Sequence, residues 1–209
     1  MREKQQEPLS SIVSMENISQ LSEKIRAYTY KWNTELYEQL YKNHPDEWNG
    51  ICAAMDILDD TCLALEGYEF HGIINSDSEK YLRLYGLLQG VFLQQDSIRH
   101  LHKTFVGTSL APTPDSAWAE IRDLRNLTVG HPIEKKNGQG IRRCFISRVT
   151  IKSDGFQLIV WSKERNVDEI ESVDLRSLYE RYKSEAVTFL ESICQTLAAK
   201  WGKLNDDSA

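Results

Sequence analysis

PDEWNGICAAMDILDDTCLALEG, residues 45–67, reads as a single helix. Trp48, Ile51, Met55, Leu58, Cys62 and Leu65 recur at steps of three and four, so they line one side of it. His44-Pro45 stops whatever precedes, and Pro45 or Asp46 opens this helix. Toward the C-terminus, Gly67 and FHGIINSDS form a connection, and Asp77 or Ser78 caps a third helix reaching about Phe105. There Tyr81, Tyr85, Leu88, Phe92 and Gln95 share one side, while Gly86 and Gly90 are spaced to let another backbone approach. Toward the N-terminus, Ile18, Leu21, Ile25, Tyr28, Trp32, Leu36 and Leu40 predict a first helix from about Glu16 to Lys42. Its aromatic residues Tyr28, Tyr30, Trp32, Tyr37 and Tyr41 outnumber what one core face needs. They read as core or dimer packing, with a base-stacking platform as the alternative.

Beyond the loop VGTSLAPTP, Thr113 and Pro114 start a fourth helix from about Asp115 to Val129. The character then changes. RRCFISRVTIK and FQLIVWSK are strand-like and flank Asp154-Gly155, a two-residue hairpin signal. KERNVDEIESVD reads as a charged loop, and a final helix runs from about Leu175 to Trp201. The expected fold is all-α: an up-and-down bundle of four to five helices over residues 15–203, one domain, with a β-hairpin at 142–162 inserted between the fourth and fifth helices. Residues 1–14 and 204–209 are polar and expected to be disordered.

At 209 residues and a net charge of −6, the chain does not suit broad adhesion to nucleic acid, but a local basic pocket remains compatible. No apolar run approaches the roughly 18–20 residues that cross a bilayer. The polar start carries no signal-peptide core, so a cytoplasmic protein without membrane association is expected. Cys52, Cys62, Cys144 and Cys194 have neither CxxC nor metal-ligand spacing and read as buried free thiols. No metal or cofactor is expected.

One constellation points to chemistry. In IRDLRNLTVGHP, Arg125-Asn126 precedes His131 at the end of the fourth helix. Arginine forks onto phosphate oxygens, and histidine is the side chain suited to proton transfer near neutrality. On a wheel of about 100° per residue, Ala117, Ile121, Leu124 and Thr128 form the apolar side, with Arg125 at its edge between Trp118 and Val129. Six residues of plain helix would point Arg125 and His131 apart. A left-handed Gly130 followed by Pro132 would turn the imidazole back. The plainer reading is a histidine that merely caps the helix. Lys135, Lys136, Arg142 and Arg143 follow as the densest basic cluster and, with Arg122, are candidates for substrate binding. Asp96–His100 and Gln95–Arg99 read as helix-surface pairs, with Gln95 reaching a polar cleft as the alternative.

RNLTVGH resembles the signature of the HEPN superfamily: Arg, four to six residues, then His, with a polar residue after the Arg. The helical layout over residues 16–201 is similar too. The resemblance implies a metal-independent endoribonuclease of a toxin–antitoxin or antiviral defence system, acting as a homodimer with a composite cleft. It implies that His131 is the general acid/base, that Arg125 binds the scissile phosphate and that Asn126 orients either. It also implies an RNA substrate, a 2′,3′-cyclic phosphate product and an antitoxin or other regulatory protein as partner. A second reading is a non-catalytic HEPN-like module that binds a nucleotide or a partner protein, and a third is a purely structural helical scaffold in a larger assembly. Ile133 stands where some HEPN toxins carry a modifiable tyrosine, and Pro132 is also unlike that subgroup.

Overall fold

The computed structural model describes residues 13–73, 76–137 and 140–204. The expected disordered segments therefore lie mainly outside the described residues. Six α-helices enclose the main core: α1 (Met15–Lys31), α2 (Asn33–Leu36), α3 (Pro45–His71), α4 (Asp77–Val106), α5 (Ala117–Arg125) and α6 (Leu175–Trp201). Four antiparallel strands form one sheet in the order β1 (Lys135–Asn137), β2 (Gly140–Ile146), β3 (Gly155–Ser162), β4 (Val167–Asp174).

The predicted apolar stripe of α3 is the buried one: Ile51, Met55, Leu58, Cys62 and Leu65 are each at most 3% exposed. α3 packs on α4 where Gly90 brings that helix against the Leu65 side chain, within 3.3 Å of an added Cβ. The close approach is thus to a side chain, and Gly86 faces open space. Gln94 ties three helices together in the core. Its amide donates to Thr61 of α3, and its oxygen accepts from the Tyr182 hydroxyl of α6 at 2.8 Å. Ser76 caps α4, one residue before the expected position, and a left-handed Gly107 ends it.

Several expectations need correction. The first helix does not run to Lys42. It breaks at Trp32 and continues through α2 into a wide π turn, Tyr37–Tyr41, which lays Tyr37 and Tyr41 against Trp48. Most of its aromatic residues are therefore core, although Tyr30 is 63% exposed. Ser116, not Thr113, caps α5. The Glu185 carboxylate of α6 accepts the backbone N–H groups of Ala117 and Trp118 at 2.9 and 2.8 Å, satisfying donors that the helix leaves open.

The inserted hairpin is a four-stranded meander. The Asp154-Gly155 turn does not form as read: a 3-10 turn at Arg148–Thr150 and a Lys152-to-Gly155 backbone bond join β2 to β3. Gly155 is needed for space, since a Cβ there would lie 2.0 Å from the Val173 oxygen. The charged loop is largely strand β4, entered through a left-handed Asn166 and paired with β3 from Gly155↔Asp174 to Ser162↔Val167. An edge strand with both faces wet loses the two-residue alternation that would mark it. Phe156, Leu158, Val160 and Cys144 face the helices and join the core cluster. All four cysteines are free, and burial pushes Cys62 up to about 12 and Cys144 and Cys194 up to about 11. Among the described residues, no helix is long and apolar enough to cross a membrane.

Candidate functional site

α5 does not end in a left-handed Gly130. It widens at Asn126–Gly130 into a π turn, in which the His131 N–H donates to the Asn126 carbonyl at 2.8 Å, an i to i+5 bond. Such turns insert one residue into a helix and recur at functional sites. Arg125, Asn126, Gly130 and His131 therefore share one end of α5, with His131 stacked one wide turn after Asn126.

Arg125 is half-buried and held on several sides. Its Nε and Nη2 donate to Gln89 Oε1 of α4 at 3.1 and 2.8 Å, and its Nη1 donates to Asn126 Oδ1 at 3.1 Å. The guanidinium lies 3.9 Å from the Phe92 ring centre, and that of Arg122 lies 4.2 Å from the same centre. Both guanidiniums therefore lie against one aromatic ring. Phe92, not Trp118, is thus the ring beside Arg125. Trp118 is buried between Tyr182 and Phe189. Gly130 completes the cradle: a Cβ there would come within 2.8 Å of Arg125 Nη1. A guanidinium has five N–H donors, and three are engaged here, so one remains on each Nη. Two uncommitted N–H groups on one guanidinium can serve phosphate oxygens. His131 is exposed, and its imidazole has no hydrogen-bond partner among the described residues.

The other predicted site residues do not join this fork. Arg122 donates to Asp96 at 2.8 Å and to Gln95, whose own amide holds the Trp118 carbonyl at 2.9 Å. Asp96 and Gln95 therefore bond across to α5, and Gln95 is fully buried in the cleft between the helices. Arg142 and Arg143 alternate on β2 and point to opposite faces of the sheet. Arg142 pairs with Glu171 at 3.1 Å in a groove also lined by Leu124 and Leu127, on the far flank of α5 from Arg125. Arg143 stacks on Trp161, 4.9 Å from its ring centre. The Lys135 and Lys136 side chains lie outside the described residues.

The sequence reading missed Gln89 and Phe92, which meet Arg125 only after α4 and α5 pack. A cavity of about 660 Å³ lies elsewhere and is lined by Tyr68, Glu69, Arg176, Tyr179 and Lys183 among others. Among the described residues, no group of three or more His, Cys, Asp or Glu gathers as a metal centre. Compared with known proteins, the chain matches no family model, no curated protein and no solved structure.

Proposed function

We propose that the chain is an HEPN-type endoribonuclease that cleaves RNA by attack of the 2′-OH on the adjacent phosphorus. The observation that carries this reading is the half-buried Arg125, fixed by Gln89, Phe92 and Asn126 with one N–H of each Nη uncommitted, at the same end of α5 as the exposed His131. In this reaction the 2′-oxygen bonds to phosphorus and the 5′-oxygen departs. The products are a 2′,3′-cyclic phosphate and a 5′-hydroxyl. His131 takes the proton from the 2′-OH, and His131 of a second copy gives one to the 5′-oxygen. The Arg125 fork offsets the negative charge that gathers on the phosphoryl oxygens. Asn126 accepts from Arg125 through Oδ1, so its NH₂ is left to donate to the same phosphate.

A homodimer would unite two such sites. Leu82, Tyr85 and Leu93 are exposed on α4, on either side of Gln89, and supply an apolar face next to the fork. The unpartnered imidazole of a single chain favours a second reading, in which the fork binds an anionic ligand or partner without cleavage. Incubation of purified protein with total RNA in EDTA separates the two. The nuclease predicts cleavage that falls by about a hundred- to a thousandfold in Arg125→Ala and is lost in His131→Ala, with both variants folded. Intact RNA together with nucleotide-induced thermal stabilisation would support the binding module.

A further inference from the structure

The sheet has one face on the helices and one in solvent. Cys144, Phe156, Leu158, Val160 and Ser162 occupy the inner face, all buried. Strand alternation places Arg143, Phe145, Ile159 and Trp161 on the outer face, with Ile170 opposite Ile159 and Asp168 opposite Trp161. Phe145 is 56% exposed and Ile170 is 70% exposed. Phe145 sits opposite Ile159 and Trp161 opposite Arg143, so Phe145 and Trp161 are diagonal cross-strand neighbours, a spacing of about 7–8 Å between residue positions that large aromatic side chains can bridge. The Arg143 guanidinium already lies against the Trp161 ring, and Lys163 opens the turn that follows β3. This face begins beside the motif: the Cys144 N–H donates to the Pro132 carbonyl at 2.8 Å, which ties the residue after His131 to the residue before Phe145.

We infer that this outer face is a stacking platform for single-stranded RNA, with Phe145 and Trp161 receiving neighbouring bases and Arg143 and Lys163 facing the phosphates. The inference rests on the ribonuclease reading, because it supplies the strand on which the Arg125 fork acts. Aromatic rings and guanidinium planes on an open sheet are a general means of holding unpaired bases. A protein partner fits less well. The apolar row Phe145–Ile159–Ile170 is three side chains wide, flanked by Arg143, Asp168, Gln157 and Ser172, and falls far short of the roughly 800 Å² per partner of a stable interface. Strand addition at the free edge is opposed by the charges of β4: Asp168, Glu169 and Glu171.

The test measures binding of a short fluorescein-labelled oligouridylate to the His131→Ala protein in EDTA, so that cleavage plays no part. Binding should quench Trp161 fluorescence. Phe145→Thr and Trp161→Thr together should weaken affinity by about ten- to a hundredfold, while Phe145→Tyr with Trp161→Phe should retain it. Phe145→Thr alone replaces a half-exposed side chain and decides the matter if the Trp161 variant does not fold. Absent binding, or unchanged affinity in the threonine variants, overturns the platform. So does a change of sedimentation coefficient without a change in RNA affinity, which would mark the face as a protein interface. The two readings fail separately. Quenching and binding by a chain that never cleaves RNA would sink the nuclease and keep the platform, whereas cleavage untouched by the threonine variants would do the reverse.

Discussion

Arg125 commits three of its donors to Gln89 and Asn126 and keeps one on each Nη, so its geometry matters as much as its charge. Arg125→Lys keeps the charge but cannot hold Gln89, stack on Phe92 and grip two oxygens together. Its activity should fall nearly as far as that of Arg125→Ala, as read by the initial rate of RNA cleavage. Gly130 offers a sharper test. Alanine there should gain up to about 1 kcal/mol of helical preference, yet its Cβ would displace the guanidinium terminus. Gly130→Ala should therefore melt at or above the wild-type temperature and cleave RNA poorly. Equal activity would show that the cradle does not position Arg125. The spacing of Arg125, Asn126 and His131 was legible along the chain, because a motif is local. Gln89 was not, since it lies 36 residues from Arg125 and only helix packing joins them.

The π turn replaces the expected left-handed glycine: its backbone bond sets His131 one wide turn after Asn126. Side-chain spacing alone does not distinguish this wide turn from an α-helix that simply stops. The start of α3 and both ends of α6 were readable because their apolar stripes are long and regular, but α3 continues through Gly67 to His71, past its expected stop, and β4 was hidden by its exposure and its charges. Phe92 joins α4 to α5 through two guanidiniums, so Phe92→Leu should cost about 1–2 kcal/mol in a urea melt and reduce kcat more than KM. A second link between elements is the Lys183 ammonium, whose side chain is 3% exposed and which bonds Glu69 of α3 at 2.9 Å and Glu180 at 3.1 Å. Glu69→Gln with Glu180→Gln strands that charge and should destabilise by about 3 kcal/mol. Lys183→Met leaves carboxylates that still reach water and should be closer to neutral in the same melt.

The bundle, the sheet and the motif turn form one continuous body: α3, α4 and α6 build the core, and α5 hangs its end between α4 and β2. The expected helical architecture is present in outline, while the sheet was half foreseen, as two strands of four. If two copies meet through α4, Leu82→Glu with Leu93→Glu should yield monomers in sedimentation and depress cleavage without unfolding the chain. The most direct measurement of the central claim uses a single chimeric oligonucleotide containing the preferred cleavage site. With a ribose at that site, the products should end in a 2′,3′-cyclic phosphate and begin with a 5′-hydroxyl. With a 2′-deoxyribose there, cleavage should cease in wild type as it does in His131→Ala. Continued cleavage of the deoxy substrate, or products carrying a 5′-phosphate, would contradict 2′-OH attack assisted by Arg125 and His131.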